Sequence, residues 1–228
     1  AGPLFGSSFG GPNPDFKNPG ILMNKLVTVF VSAALLVLAP SLLQAQELQG
    51  DPAAGQAKIA VCATCHGQDG NSELSMNPKL AGQNAAYITK QLQNYKSGER
   101  QNAVMSGMAA ALSEQDIADI AAWYSSQTVT LEGADPENLE LGEQLYRAGN
   151  ADLGVASCSA CHGPQGKGNG PAGFPSLGGQ HAEYTLTQLK YFRSGERAND
   201  RAAMMRSNVE RLTDAELEAL ADYISGLH

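Results

Sequence analysis

The chain has 228 residues, four of them cysteine, and a formal net charge of −8. That acidic balance excludes a nucleic-acid binder, which needs a basic face. Four cysteines in a chain of this length exclude a small fold built on disulfides, and the interspersed charges describe a solvated surface rather than a charged tail.

Residues 1–22 contain five Gly and four Pro without apolar periodicity, and read as a non-native or upstream extension. Met23 opens a different pattern: Asn24-Lys25, then a 13-residue apolar run from Leu26 to Leu38, then small and polar residues through Ala45. Residues 23–45 therefore read as a signal peptide, cleaved near Ala45. The run is short for a membrane span, and an uncleaved anchor is the alternative. From residue 46 onward 13 Lys+Arg face 22 Asp+Glu, a balance of −9. The expected division is a first domain over 46–130, a linker over 131–136 and a second domain over 137–228.

A helix is expected from about Pro52 into Cys62, leading to Cys62-Ala63-Thr64-Cys65-His66. Cys-x-x-Cys-His is the spacing of covalent haem c attachment. Each thiol adds to a porphyrin vinyl group, and the histidine gives the iron an axial nitrogen. Pro78 is placed to offer its carbonyl to the other ring nitrogen of the histidine; a plain turn proline is the alternative. Tyr87, Ile88, Gln91, Leu92 and Tyr95 share one helical face that ends at Gly98. Arg100 is read either as a partner of haem propionates or as half of a solvated surface ion pair. Ser113-x-x-Asp116 opens a capped helix carrying Ile117, Ile120, Ala121 and Tyr124. Thr128, Val129, Thr130, Gly133 and Pro136 then break the pattern and mark a seam.

The second half repeats the first. A helix over about Leu139 to Ala148 leads to Cys158-Ser159-Ala160-Cys161-His162; Pro175 stands for Pro78 and Arg197 for Arg100. Gly82-Gln83, Tyr87, Gln91-Leu92 and the run Ser97 to Arg100 recur 97 residues later, and Thr213-x-x-Glu216 repeats the capped start. Trp123 and Tyr223 are expected to pack near Gly55 and Gly142, where a missing side chain permits close approach. No segment alternates as a strand, so the class is all-α: two tandem domains, each wrapped around one covalent haem. One zinc held by both cysteine pairs fits poorly, since the pairs stand 96 residues apart and the adjacent histidines are left unexplained. A redox dithiol expects a parallel sheet.

Each iron needs a ligand opposite its histidine. The first half has no histidine besides His66, and methionine is the other common choice. Met105 and Met205 each stand seven residues before a leucine, Leu112 and Leu212, at an offset of 100. Counting from the Ser-Gly-Glu-Arg runs instead pairs Met108 with Met205, because the second loop is three residues longer. Insertions belong in surface loops, which favours Met105 and Met205 as ligands, with Met108 and Met204 as the alternatives. Met76 lies too close to His66. His181 takes the place of Asn84 and is expected at the surface or near the propionates; His228 is expected to be exposed.

Cys-Ala-Thr-Cys-His-Gly, Pro-Lys-Leu-Ala-Gly-Gln, Met-Ser-Gly-Met and Ile-Ala-Ala-Trp-Tyr in the first half carry a resemblance, as do Cys-Ser-Ala-Cys-His-Gly, Gly-Phe-Pro-Ser-Leu-Gly-Gly-Gln-His and Tyr-Ile-Ser-Gly-Leu-His in the second. Over essentially all of residues 50–228 the chain resembles the diheme cytochrome c4 family, tandem class I cytochrome c domains of bacterial periplasms. The resemblance implies a pseudo-twofold axis between the domains, propionates facing across the interface, and Met105 and Met205 as sixth ligands. It also implies a periplasmic electron carrier running from a bc1-type complex to a terminal oxidase, in some members attached to the membrane face. A monomer is expected. With both irons closed no substrate position remains, so the chain is expected not to be an enzyme. A two-haem peroxidase, which needs an open iron, and a docked subunit of a larger oxidoreductase are the rival readings.

Overall fold

The computed structural model describes residues 48–228. The extension over 1–22, the signal peptide over 23–45 and its cleavage point lie outside the described residues. Ten α-helices follow, five in each half. In the first half α1 is Pro52–Lys58, α2 Ala63–His66, α3 Ala85–Ser97, α4 Ala103–Ala110 and α5 Glu114–Ser125. In the second half α6 is Leu139–Ala148, α7 Ser159–His162, α8 Ala182–Ser194, α9 Met204–Val209 and α10 Asp214–Ser225. The described residues form no strand, only two isolated bridges. The all-α expectation holds.

Local chemistry explains the helix ends. Asp51 caps α1 by accepting from the Ala53 N–H at 2.8 Å, and Pro52 starts the helix where no N–H is needed. Ser113 with Asp116, and Thr213 with Glu216, form complete capping boxes on α5 and α10. Gly98 and Gly195 close α3 and α8 at φ of 82° and 80°, a left-handed conformation glycine adopts without strain. One expectation needs correcting. The opening helix does not run into Cys62 but stops at Lys58, where Ile59 turns to ψ of 1°. An Ala63 N–H to Ile59 carbonyl bond of 2.8 Å then leads the chain into the separate turn of α2.

In each half the opening helix crosses the closing helix at a glycine. A Cβ on Gly55 of α1 would lie 2.1 Å from the Asp119 carbonyl oxygen of α5. A Cβ on Gly142 of α6 would lie 2.3 Å from the Ala219 carbonyl oxygen of α10. Trp123 and Tyr223 flank these crossings as expected. Beside them the two cores are filled differently. Ile59 and Tyr124 belong to the first core, and Tyr146 and Ile224 take the matching places in the second. The first cluster of buried residues is small: Ile59, Ile88, Ile120, Ala121 and Tyr124. The second adds Val155, Leu189, Phe192, Leu217, Leu220 and Leu227, among others.

The first crossing has a polar tie that the second lacks. Buried Asp119 accepts from the Asp51 N–H at 2.9 Å, Lys58 Nζ at 2.6 Å and Gln115 Nε2 at 2.8 Å. Buried Leu145 and Ala219 occupy the places of Lys58 and Asp119 in the second half.

The two halves dock through reciprocal contacts. The Gln83 amide donates to the Ser176 carbonyl and accepts from the Ser176 N–H, both at 2.8 Å. The Gln180 amide pairs in the same way with Lys79, both bonds at 2.9 Å. Gln83 and Gln180 are repeat partners, as are Lys79 and Ser176. Each contact therefore has its image, which is the mark of a twofold relation.

Two outcomes are expected. Gly55→Ala should push α1 off α5 and destabilise the first half by about 1–3 kcal/mol; an unchanged urea midpoint of the holoprotein would contradict the close crossing. The Asp119 carboxyl is held at about 2 by the Asp51 N–H first, then Lys58 and Gln115. A group depressed on folding stabilises above its unfolded value, and that contribution fades as pH falls through the folded one. The tie should thus be intact above about pH 4 and lost as pH falls to about 2. Asp119→Asn should flatten the acid limb of the denaturation profile.

Candidate haem sites

Cys62 opens the single turn α2, and Cys65 and His66 close it. Three residues of helix bring the two thiols back to one side. The next residue is turned about 100° away, which sends His66 inward. Cys65 is exposed, Cys62 half-buried and His66 only 7 % exposed. The second half repeats this on α7, with Cys161 exposed, Cys158 half-buried and His162 5 % exposed.

Each imidazole is braced. His66 Nδ1 lies 2.9 Å from the Pro78 carbonyl oxygen, and His162 Nδ1 lies 3.0 Å from that of Pro175. A carbonyl can only accept, so Nδ1 carries the proton and Nε2 keeps a free lone pair, the form a metal takes. Burial pushes both imidazoles below their ordinary value, against the opposing pull of the proline carbonyls. Both rings are thereby kept neutral. Burial also raises the Cys62 thiol and pushes the Cys158 thiol up to about 11. That is the reverse of what a nucleophilic redox dithiol requires.

The methionine loops differ between halves. In the first, the Asn102 side chain caps α4 by accepting from the Met105 N–H at 3.0 Å. In the second, Ala202 and Ala203 stand at φ of 52° and 56° just before α9, and Asp200 takes the Arg206 N–H at 3.0 Å. From there on the register is shared: Leu112 and Leu212 donate their N–H groups to Ala109 and Val209 at 3.1 and 3.2 Å. The three extra residues of the second loop thus precede its methionines. Met105 and Met205 are half-buried, and Met205 packs on the second core. Met108 and Met204 are 47 % and 42 % exposed, and Met76 is 68 % exposed.

Arg100 and Arg197 are not solvated surface residues. Each is 7 % exposed and crosses the interface. Arg100 donates to Gln91, Tyr184 and Gln188 at 2.9, 3.0 and 2.7 Å. Arg197 donates to Gln188, Tyr87 and Gln91 at 2.9, 2.8 and 3.1 Å. Each guanidinium stacks over its own aromatic, Tyr95 or Phe192. Among the described residues no carboxylate forms an ion pair with either arginine. His181, expected at the surface or near propionates, is buried between the halves. His228 is exposed, as expected. The interface roles of Gln83, Gln91, Tyr87 and their partners were not read from the sequence. The available signal was that these polar residues recur unchanged in both copies.

These features fit haem c. The chain supplies paired thiols, a neutral imidazole with a free Nε2 in each half, and two buried cations without acids. The Tyr124 hydroxyl is also buried without a hydrogen-bond partner among the described residues.

The family model Cytochrome c matches residues 52–128 and again 139–228. The cytochrome c4 of Azotobacter vinelandii is 45 % identical over 217 residues, covering 90 % of this chain and all of that relative. The thiosulfate dehydrogenase electron acceptor of Stutzerimonas stutzeri (strain A1501) is 35 % identical over 201 residues, 86 % of this chain and 92 % of its own. The crystal structure of reduced recombinant cytochrome c4 from Pseudomonas stutzeri superposes with a TM-score of 0.77 at 49 % identity, covering 78 % of this chain and 100 % of that one.

Replacing Cys62 and Cys65 together with alanine should halve the haem per chain, as read by mass and by pyridine haemochrome. The smaller first core should then lose more helix, by circular dichroism, than the second does in the matching Cys158 and Cys161 variant. The same helical unit is matched twice along one chain, and the relatives' likeness spans both copies: the chain belongs to the diheme cytochrome c4 family, electron-transfer cytochromes carrying two haem c groups.

Proposed function

We propose that the chain carries single electrons in the periplasm, from a bc1-type complex to a terminal oxidase, with each iron closed by a methionine sulfur. In this reading residues 46–130 and 137–228 are the two haem domains and 131–136 the linker. His66 and Met105 hold the first iron, and His162 and Met205 the second. A haem c so held supplies a reversible one-electron couple at raised potential. The observation that carries the reading is the repetition of one arrangement. In each half a buried imidazole is braced by a proline carbonyl, and a half-buried methionine stands at one fixed distance ahead of the closing helix.

The protein's own groups account for the rest. Burial keeps both ligand imidazoles neutral and dry. Arg100 and Arg197, buried without acid partners, offer charge to the propionates. Closure of both irons leaves no position for a substrate, which favours a carrier over a peroxidase. No described helix is long and apolar enough to cross a membrane.

Met105→Ala should open one haem to carbon monoxide, seen as a new Soret band in the reduced protein, while Met108→Leu should not. The reverse result would assign Met108. Reduced protein should be reoxidised by membranes containing a terminal oxidase. Reduction by a thiosulfate dehydrogenase but not by a bc1-type complex would replace the proposed donor.

A further inference from the structure

Asn84 and His181 hold matching places, each the residue before its helix, and each reaches into the other half. Asn84 donates one side-chain N–H to the Phe174 carbonyl at 3.0 Å. His181 makes two contacts. Its Nε2 lies 2.9 Å from the Ser72 carbonyl oxygen, and its Nδ1 lies 2.8 Å from Glu132 Oε1. Glu132 belongs to the stretch joining the halves.

Both partners are acceptors. Lys79 Nζ lies 2.9 Å from the same Glu132 oxygen. Partial burial raises the Glu132 carboxyl, but Lys79 and His181 outweigh it and hold the group below the usual carboxylate range. Glu132 is therefore ionised and has no proton to give. A neutral imidazole has one N–H and can serve one acceptor; the imidazolium has two and serves both. His181 is 5 % exposed, so water is poorly placed to replace a missing bond. The charged groups facing the ring are Glu132 from the joining stretch and Lys79 from the first half; Ser72 presents a neutral carbonyl.

The contact reaches further on both sides. The Ser72 hydroxyl donates to the Cys65 carbonyl at 2.8 Å, on the first attachment turn. Lys79 Nζ donates to the Thr130 carbonyl at 2.7 Å, and Asn71 accepts the Thr130 N–H at 2.8 Å. The joining stretch is thus strapped to the first half by neutral and lysine contacts, and to the second by His181, by the Asp222 carboxylate, which accepts the Asp135 N–H at 2.8 Å, and by the Ser225 hydroxyl, which donates to the Gly133 carbonyl at 3.4 Å.

We propose that His181 is a positioning residue that clasps the second half and the joining stretch to the first haem-attachment loop only while both of its ring nitrogens carry protons. Loss of one proton forfeits either the Glu132 or the Ser72 bond. The fit between the two haem domains therefore loosens as pH rises. Asn84, with no such proton to lose, leaves its side of the interface unaffected.

Amide hydrogen exchange of residues 130–133 in the reduced holoprotein tests this, corrected for intrinsic rates, at about pH 5.5 and about pH 8.5. Protection should fall about tenfold between the two, as expected for loss of one charged hydrogen bond. His181→Asn, which copies the residue of the matching site, should show no such pH dependence. Nitrogen NMR of the wild-type ring should show two N–H groups at the lower pH. A wild-type profile retained in His181→Asn, a flat wild-type profile, or a single ring N–H at the lower pH would each overturn the proposal. None of these readouts depends on the identity of the redox partners.

Discussion

A side chain that is not there sets the geometry of each half. At Gly55 and Gly142 the opening helix lies against the backbone of the closing helix, with no room for a methyl group. This crossing fixes where α1 and α6 end, and the attachment turns begin within a few residues of the first and a short loop beyond the second. The closing helix also accepts, at its last turn, the N–H that starts the next segment: Gly82 donates to the Tyr124 carbonyl at 3.0 Å and Gly179 to the Ile224 carbonyl at 3.1 Å. Both sides of the haem site are thus hung from one helix pair. The apolar clusters between them are modest, as small domains allow, so a large bound ring is an integral part of the interior.

The interface follows a different physics. Its centre is polar: two glutamine amides paired with backbone, and two guanidiniums shared between glutamine and tyrosine side chains. Buried polar groups are costly unless every partner is present. Here each side chain finds its partner only in one relative placement of the halves. A purely apolar interface tolerates sliding; this one sets an angle and a register. Such contacts contribute specificity of placement more than net stability.

Much of this was legible in the sequence because the signals are local. The Cys-x-x-Cys-His turns and the Ser113 and Thr213 caps are decided by neighbours a few residues away. The repeat added a second reading of each. What escaped depends on partners far along the chain. Arg100 finds Tyr184 and Gln188 in the other copy, so no window around it distinguishes a buried guanidinium from a solvated one. His181 takes the place of Asn84, which points to the surface or the propionates; only the fold shows Glu132 and Ser72 on either side of its ring. The stop at Lys58 was missed because helix-forming residues continue past it. The longer second loop carries its left-handed pair, Ala202 and Ala203, just ahead of its methionines, a backbone feature that no residue pattern announced.

The exchange of Ile59 and Tyr124 for Tyr146 and Ile224 bears on the history of the duplication. In one copy the aromatic ring comes from the closing helix, in the other from the opening helix. A chimaera joining the first opening helix, with Ile59 just past its end, to the second closing helix would set isoleucine beside isoleucine and leave a hole. The reciprocal chimaera would crowd two rings into one space. The opening and closing helices of each copy are thus complementary to each other and not to those of the other copy. Recombination between them within one gene is disfavoured by packing alone.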